Sequence, residues 1–204
     1  MEENKIDHTS LLPQKLTEEV LVVKRSLLFA DNAPQGFCNE DIQKYTDIIL
    51  KHQEYHPRGL MENDPRYKQI IPYLIFQFQH RFFLMERQAK ASEQRLKSKL
   101  SLGIGGHIRK EDMQTSSIFD WAQREFYEEV YYNGSLHITP LGVVNDDSNE
   151  VGKVHIGFVF LLKGDSDNIS VKSELQSGHL ATKEECLALK KNMETWSQLI
   201  INTL

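Results

Sequence analysis

Cysteine is nearly absent from this chain. The two present, Cys38 and Cys186, are too few and too widely separated to form a metal motif or a disulfide framework. They read as reduced thiols in a cytosolic protein. Long apolar runs are missing too: the most apolar stretch, Ile70 to Phe78, is far too short to span a bilayer. The N-terminus, Met-Glu-Glu-Asn-Lys, lacks the basic-then-apolar order of a secretory signal. The expectation is a cytoplasmic protein with no membrane partner. Positive charge is not in excess. Lysine and arginine number 24 against 29 acidic residues, and the net charge of −5 argues against a broad nucleic-acid-binding face. It leaves room for a nucleotide substrate, because a bound cation reverses the local field. No Gly-Lys-Ser/Thr follows the glycine-rich run at Gly103, so a phosphate-cradling P-loop is excluded, and the spacing of a dinucleotide fingerprint is absent as well.

What is present suits a globular domain. A chain of 204 residues, 40% hydrophobic and 26% charged, can bury one substantial core. Residues 1 to 15 read as a loose tail. Val20–Val23 and Ser26–Phe29 read as strand, and a helix is expected from Asn39 to about Tyr55, with Ile42, Tyr45, Ile48 and Ile49 inward. Tyr73–Phe76 and Phe82–Met85 read as strands paired around Gln79-His80, with one long strand as the alternative. Leu100 to Ile108 brings a short strand to Gly105-Gly106. Ser116 or Ser117 can cap a helix reaching Tyr132. His137–Val144 and Val154–Leu162 read as strands joined by a polar, exposed loop over 145–150. Thr182 opens a last helix with a capping box, and Met193–Leu204 continues or restarts it, with Trp196, Leu199 and Ile200 inward.

Chemistry concentrates in Arg124-Glu125-Phe126-Tyr127-Glu128-Glu129. At about 100° per residue, Glu125, Glu128 and Glu129 fan over one side of a helix, beside an apolar stripe of Phe119, Ala122, Phe126 and Val130. Like charges held together call for a cation, and an oxygen donor set suits Mg²⁺, Ca²⁺ or Mn²⁺. The plain alternative is a solvated Glu-rich helix with an ordinary Arg124–Glu128 ion pair.

The glycine pair followed by this Arg-Glu-x-x-Glu-Glu helix resembles the signature of the Nudix hydrolase family over roughly residues 70 to 190. Three departures stand out. Residues 107 to 123 lengthen the intervening loop by four over the signature, the second signature glycine is Tyr131, and the proline that usually precedes the glycine pair is missing. The first acidic position falls on Asp112, with Glu111 beside it, counting from Gly106, and on Ser116 counting from Arg124. The resemblance implies an α/β/α sandwich with a mixed sheet, a single domain over 1–204, a core from 71 and an N-terminal elaboration over 1–70. It implies hydrolysis of a pyrophosphate bond in a nucleoside diphosphate derivative or related compound, with Mg²⁺ or Mn²⁺ as cofactor. By the same resemblance Glu125, Glu128 and Glu129, with the Gly106 carbonyl, hold the metal, while Arg124 orients a carboxylate. The general base is a box glutamate or a later one, Glu150 or Glu174. The partner is a small nucleotide-like molecule, not a nucleic acid, and the family's tendency to dimerise admits a homodimer. A second reading is a non-catalytic ligand-sensing or protein-interaction module on the same fold, distinguished by binding without hydrolysis. A third is an isomerase that cuts no phosphate bond.

Weaker features have bland readings beside the functional ones. His52 and His56 have the i,i+4 spacing of two zinc ligands on a helix but no evident third. His107 can approach a phosphate or simply end a strand. Arg87, Lys90, Arg95, Lys97 and Lys99 can attract a polyphosphate or line a solvated loop. Trp121, Tyr127, Tyr131 and Tyr132 can stack on a base or pack a core.

Overall fold

Strand pairing around Tyr67–Phe78 (β4) organises the molecule. The computed structural model describes residues 15–29, 33–39, 42–87, 99–112, 117–172 and 175–204. β4 is buried along most of its length, and such a strand needs partners on both edges and cover on both faces. One edge runs parallel to His155–Gly164 (β10) in unbroken register from Gln69↔His155 to Phe78↔Gly164. The other edge is shared by Glu19–Lys24 (β1), Gly103–Gly105 (β7) and Arg81–Arg87 (β5), all antiparallel. β10 pairs in turn with Leu136–Asn145 (β9), and β9 with Gly36–Cys38 (β2). Leu175–Thr182 (β12) extends the far side through β5, and Leu100–Ser101 (β6) also pairs with β5. Glu54–Pro57 (β3) lies on β1. Val130–Tyr132 (β8) and Ile169–Val171 (β11) form a separate small ribbon.

Beside a small cluster of Val20, Val22 and Met61, two large apolar clusters form, one built on each set of helices. One gathers Ile70, Phe76, Phe83, Ile156 and Phe160 with Tyr45 and Ile49 of Ile42–His52 (α2) and Trp121, Ala122 and Phe126 of Ile118–Glu129 (α4). The other gathers Tyr73, Ile75, Leu84 and Val159 with Cys186 of Lys183–Ala188 (α6) and Ile200 of Thr195–Ile200 (α7). Successive side chains of one strand point to opposite faces, so Phe76 and Ile75 serve different clusters. This is a mixed sheet flanked by helices, as expected. No helix among the described residues is long and apolar enough to cross a membrane.

Several local expectations are met. Gln79-His80 form a two-residue turn between β4 and β5, and Gln79 takes a positive φ of 53°, the geometry a tight hairpin requires even without glycine. Ser117 caps α4, accepting from the Phe119 N–H. The Thr182 capping box is formed with Glu185, and the chain restarts as α7 after a 3₁₀ turn.

Others are corrected. Ser26–Phe29 is not strand: Arg25–Leu28 (α1) makes a helical turn, and Arg25 at its start pairs with Asp147. Phe119 is 42% exposed; the buried stripe of α4 starts from Ile118 and Trp121 instead. α4 ends at Glu129, where Val130 leaves the helix to pair with Val171. The 145–150 loop is not simply exposed. Asn145 and Asp146 are buried, and Glu150–Val154 (α5) interrupts the loop with a short helix capped by Asn149. His56 lies in β3 and bonds Glu54, so His52 and His56 share no helix face. Of the basic run, 88–98 lies outside the described residues.

Candidate active site

The end of β7 opens a cavity of about 260 Å³. Its wall includes Gly105, Gly106 and His107 on one side and Arg124, Glu125, Glu128 and Glu129 of α4 on the other. Sheet pairing fixes this juxtaposition. Tyr73↔Gly105 and Ile75↔Gly103 bind β7 to β4, and Phe126 stacks on Phe76 of β4 at 5.9 Å, setting the rotation of α4.

Glycine is required at Gly106. A Cβ there would fall inside the van der Waals envelope of the Glu125 carboxylate. Glu125 is thus held against main chain and is only 6% exposed, an unusual place for a carboxylate. Arg124 sits beside it. Its Nη1 donates to Glu128 Oε1 at 2.6 Å, its Nη2 stands 3.7 Å from Glu125 Oε2, and Nη2 also donates to the His107 carbonyl at 3.5 Å. One guanidinium therefore links two carboxylates of the helix to the backbone after the glycine pair. Arg109 adds a second cation 3.6 Å from Glu128 and pairs with exposed Glu111 at 3.3 Å. Asp112 ends the 3₁₀ turn Lys110–Asp112, and Ser116 lies outside the described residues.

The segment after the glycines is anchored by β1. The Leu21 N–H donates to Ile108 O at 2.8 Å, Val20 bridges Arg109, and Lys110 pairs with Glu19 at 2.8 Å. On the other flank, Tyr73 Oη accepts from the Gly103 N–H at 3.1 Å and donates to Glu194, the cap of α7. Complete burial, then Glu194, pushes the Tyr73 phenol well above its ordinary pKa, so it stays protonated and able to donate.

Lys68, 0% exposed, holds the opposite wall. Its ammonium donates to Asp147 Oδ1 at 2.8 Å, to Gly152 O at 2.6 Å and to His155 O at 3.2 Å. Burial pushes its pKa down to about 8 against the raising pull of Asp147. Burial alone would raise the Asp147 carboxyl, but hydrogen bonds from Arg25 and Lys68 outweigh it and hold the group below the usual carboxylate range. The partners differ because the lysine side chain is wholly buried while that of Asp147 is 27% exposed, so the ammonium bears the larger desolvation.

His107, on the cavity wall just after β7, faces His155 of β10, Nε2 to Nε2 at 3.2 Å. Burial, with the positive charge of Arg58 next, holds His107 well below the usual histidine range. No spacing signal exposes this pair, because its members stand 48 residues apart. Among the other expected groups, Glu150 is spent on Lys153 at 2.6 Å with its side chain 77% exposed, and Glu174 lies outside the described residues. Trp121 and Tyr132 are core, while Tyr131 is exposed under the Lys172 ammonium.

No protein-family model matches the chain. It is 34% identical over 210 residues to Protein YmaB of Bacillus subtilis (strain 168), covering 93% of this chain and 98% of that one. Among solved structures it is similar to Tm1382, described as a candidate Nudix hydrolase, at TM-score 0.78 and 29% identity over 91% of this chain and 97% of that one. The MutT protein of Methanosarcina mazei Go1 shares the fold at TM-score 0.51 and 15% identity, over 67% and 91% of the two chains. With the glycine pair set against an Arg-Glu-x-x-Glu-Glu helix in this sandwich, the chain belongs to the Nudix hydrolase family, pyrophosphohydrolases that act on acid anhydrides.

Proposed function

We propose that this protein is a divalent-cation-dependent hydrolase of a phosphoanhydride bond in a nucleoside diphosphate derivative or related compound. The observation that carries the reading is the burial of the Glu125 carboxylate against Gly106, with Glu128 and Glu129 on the same cavity wall. The donor set fits Mg²⁺ or Mn²⁺. It is all oxygen, it carries more negative charge than Arg124 neutralises, and it is incomplete, as suits an ion that keeps several waters. Glu125, Glu128, Glu129 and the Gly106 carbonyl would hold the ion. Once bound, the cation would neutralise phosphate charge, orient the anhydride and lower the pKa of a bound water.

The chain's own groups do the rest. Arg124 positions Glu125 and Glu128 by its planar fork, and no lysine could span both in the same way. Lys15, Arg58 and Arg109 put positive charge on the wall where a polyphosphate would lie. Trp196, set edge-on to Tyr73 at 5.5 Å, gives the wall an apolar face for the organic part of a substrate. Glu150 stays a base candidate beside the box glutamates: it pairs with Lys153 at 2.6 Å, and its neighbours Asn149 and Val151 line the cavity.

The test offers nucleotide sugars, dinucleoside polyphosphates and nucleoside triphosphates to the purified protein with Mg²⁺ or Mn²⁺, with product analysis. Cleavage at an anhydride that stops on chelation is the expected result. Nucleotide binding without turnover under every metal condition would instead identify a ligand-sensing module.

A further inference from the structure

Beside the cavity, and sharing His107 and His155 with its wall, lies a second donor set that the carboxylate helix does not use. One ligand atom from each of Glu62, His107 and His155 lies within 4.8 Å of the other two. These residues come from three separate places: the turn after Arg58–Met61 (α3), the strand exit after Gly106, and the first residue of β10.

The spacing and the His155 tautomer both fit an ion as well as a hydrogen-bonded imidazole pair. Two nitrogens each about 2.0–2.1 Å from a tetrahedral ion stand about 3.3 Å apart. The two Nε2 atoms are 3.2 Å apart. His155 Nδ1 lies 2.7 Å from the Val151 carbonyl, which can only accept, so Nδ1 carries the proton and the neutral ring presents its lone pair at Nε2. A far nitrogen donating to a backbone carbonyl is how metal-ligating histidines are oriented. Glu62 accepts from Arg58 Nε on Oε1 at 3.2 Å, and a carboxylate has lone pairs on both oxygens. The scaffold is fixed on both sides: Lys68 bonds the carbonyls of Gly152 and His155, while Arg124 and β1 hold the main chain at His107 and Ile108.

We propose that His107 Nε2, His155 Nε2 and a Glu62 carboxylate oxygen form a binding site for one Zn²⁺ ion, separate from the all-oxygen set on the carboxylate helix. Two imidazoles and one carboxylate select a borderline transition ion over Mg²⁺, which prefers six oxygens. Three protein ligands leave a fourth position, and both histidines line the cavity, so that position opens towards it. A water or a phosphate oxygen would complete the shell there.

The experiment uses the full chain, stripped with a chelator and dialysed against micromolar Zn²⁺ or Co²⁺. Expected are one retained Zn²⁺ per chain, a visible Co²⁺ absorption band of four-coordinate type, and zinc-edge X-ray absorption with imidazole scattering from two histidines. His107→Gln and His155→Gln should each weaken retention by more than about a hundredfold, beyond the loss typical of an outer partner. Glu128→Gln should leave retention unchanged. X-ray absorption of the wild-type protein needs no variant, so a folding defect in His155→Gln does not blunt the test. An all-oxygen shell, retention indifferent to both histidines, or no retained ion would overturn the proposal and leave a hydrogen-bonded imidazole pair only. None of these outcomes depends on turnover, so the hydrolase reading stands or falls by itself.

Discussion

The Glu125 carboxylate packs against the α-carbon of Gly106, and no other residue fits between them. Gly106→Ala would set a Cβ 2.0 Å from Glu125 Oε1, so the carboxylate would have to move by about 1 Å. Because misplacing a reacting group by about 1 Å costs on the order of a hundredfold, turnover should fall by about that factor. Steady-state kinetics with a thermal melt checks this. An unfolded variant would show as a lost transition, whereas the expected variant melts normally and turns over slowly.

Arg124 binds Glu128 at 2.6 Å and approaches Glu125 to 3.7 Å, so it aligns both carboxylates at once. Arg124→Lys keeps the charge and loses the fork. The concentration of Mg²⁺ needed for half-maximal rate should rise by about tenfold, the lower end of the loss seen when a group supporting metal ligands is removed. Titration of initial rate against Mg²⁺ in both proteins reads the shift directly.

The Lys68–Asp147 pair should matter for stability more than for chemistry. Asp147→Asn leaves a wholly buried ammonium without its counter-charge and should cost about 3 kcal/mol in denaturant unfolding at pH 7. The pH dependence has a definite sign. Asp147 has a depressed folded pKa, so its contribution is complete above the unfolded value near 3.8 and is lost as pH falls below it. Wild type and Asp147→Asn should therefore converge in strong acid. Lys68 is also depressed, to about 8, so the unfolded chain binds more protons between about 8 and 10.5 and wild-type stability gains from Lys68 across that window. Lys68→Met should lack that gain.

Tyr73 joins the Gly103 N–H, Ser197 Oγ at 2.7 Å and Glu194 in one buried network. Tyr73→Phe strands the donor at Gly103 and an acceptor lone pair on Glu194. A loss of about 2 kcal/mol in equilibrium unfolding is expected, because the partners keep their desolvation cost.

Local signals account for what the sequence made readable. The carboxylate helix, the Gln79-His80 hairpin and the Thr182 capping box all depend on neighbours within a few residues, where periodicity and turn chemistry act. The misses are long-range. Arg25–Leu28 forms a helical turn whose Arg25 meets Asp147 across the fold, and the acids at the start of the 145–150 loop, Asp146 and Asp147, are covered by Gln35, Lys68 and Arg25. His107 drew notice for its place beside the glycines, yet its partner His155 arrives only through the parallel register of β4 and β10. No pattern along one chain encodes that meeting.

Anomalous diffraction from crystals soaked in Mn²⁺ tests the central claim most directly. The account predicts a peak within bonding distance of carboxylate oxygens from at least two of Glu125, Glu128 and Glu129. Saturating Mn²⁺ with no peak at the helix, or with a peak only at the His107–His155 pair, would contradict it.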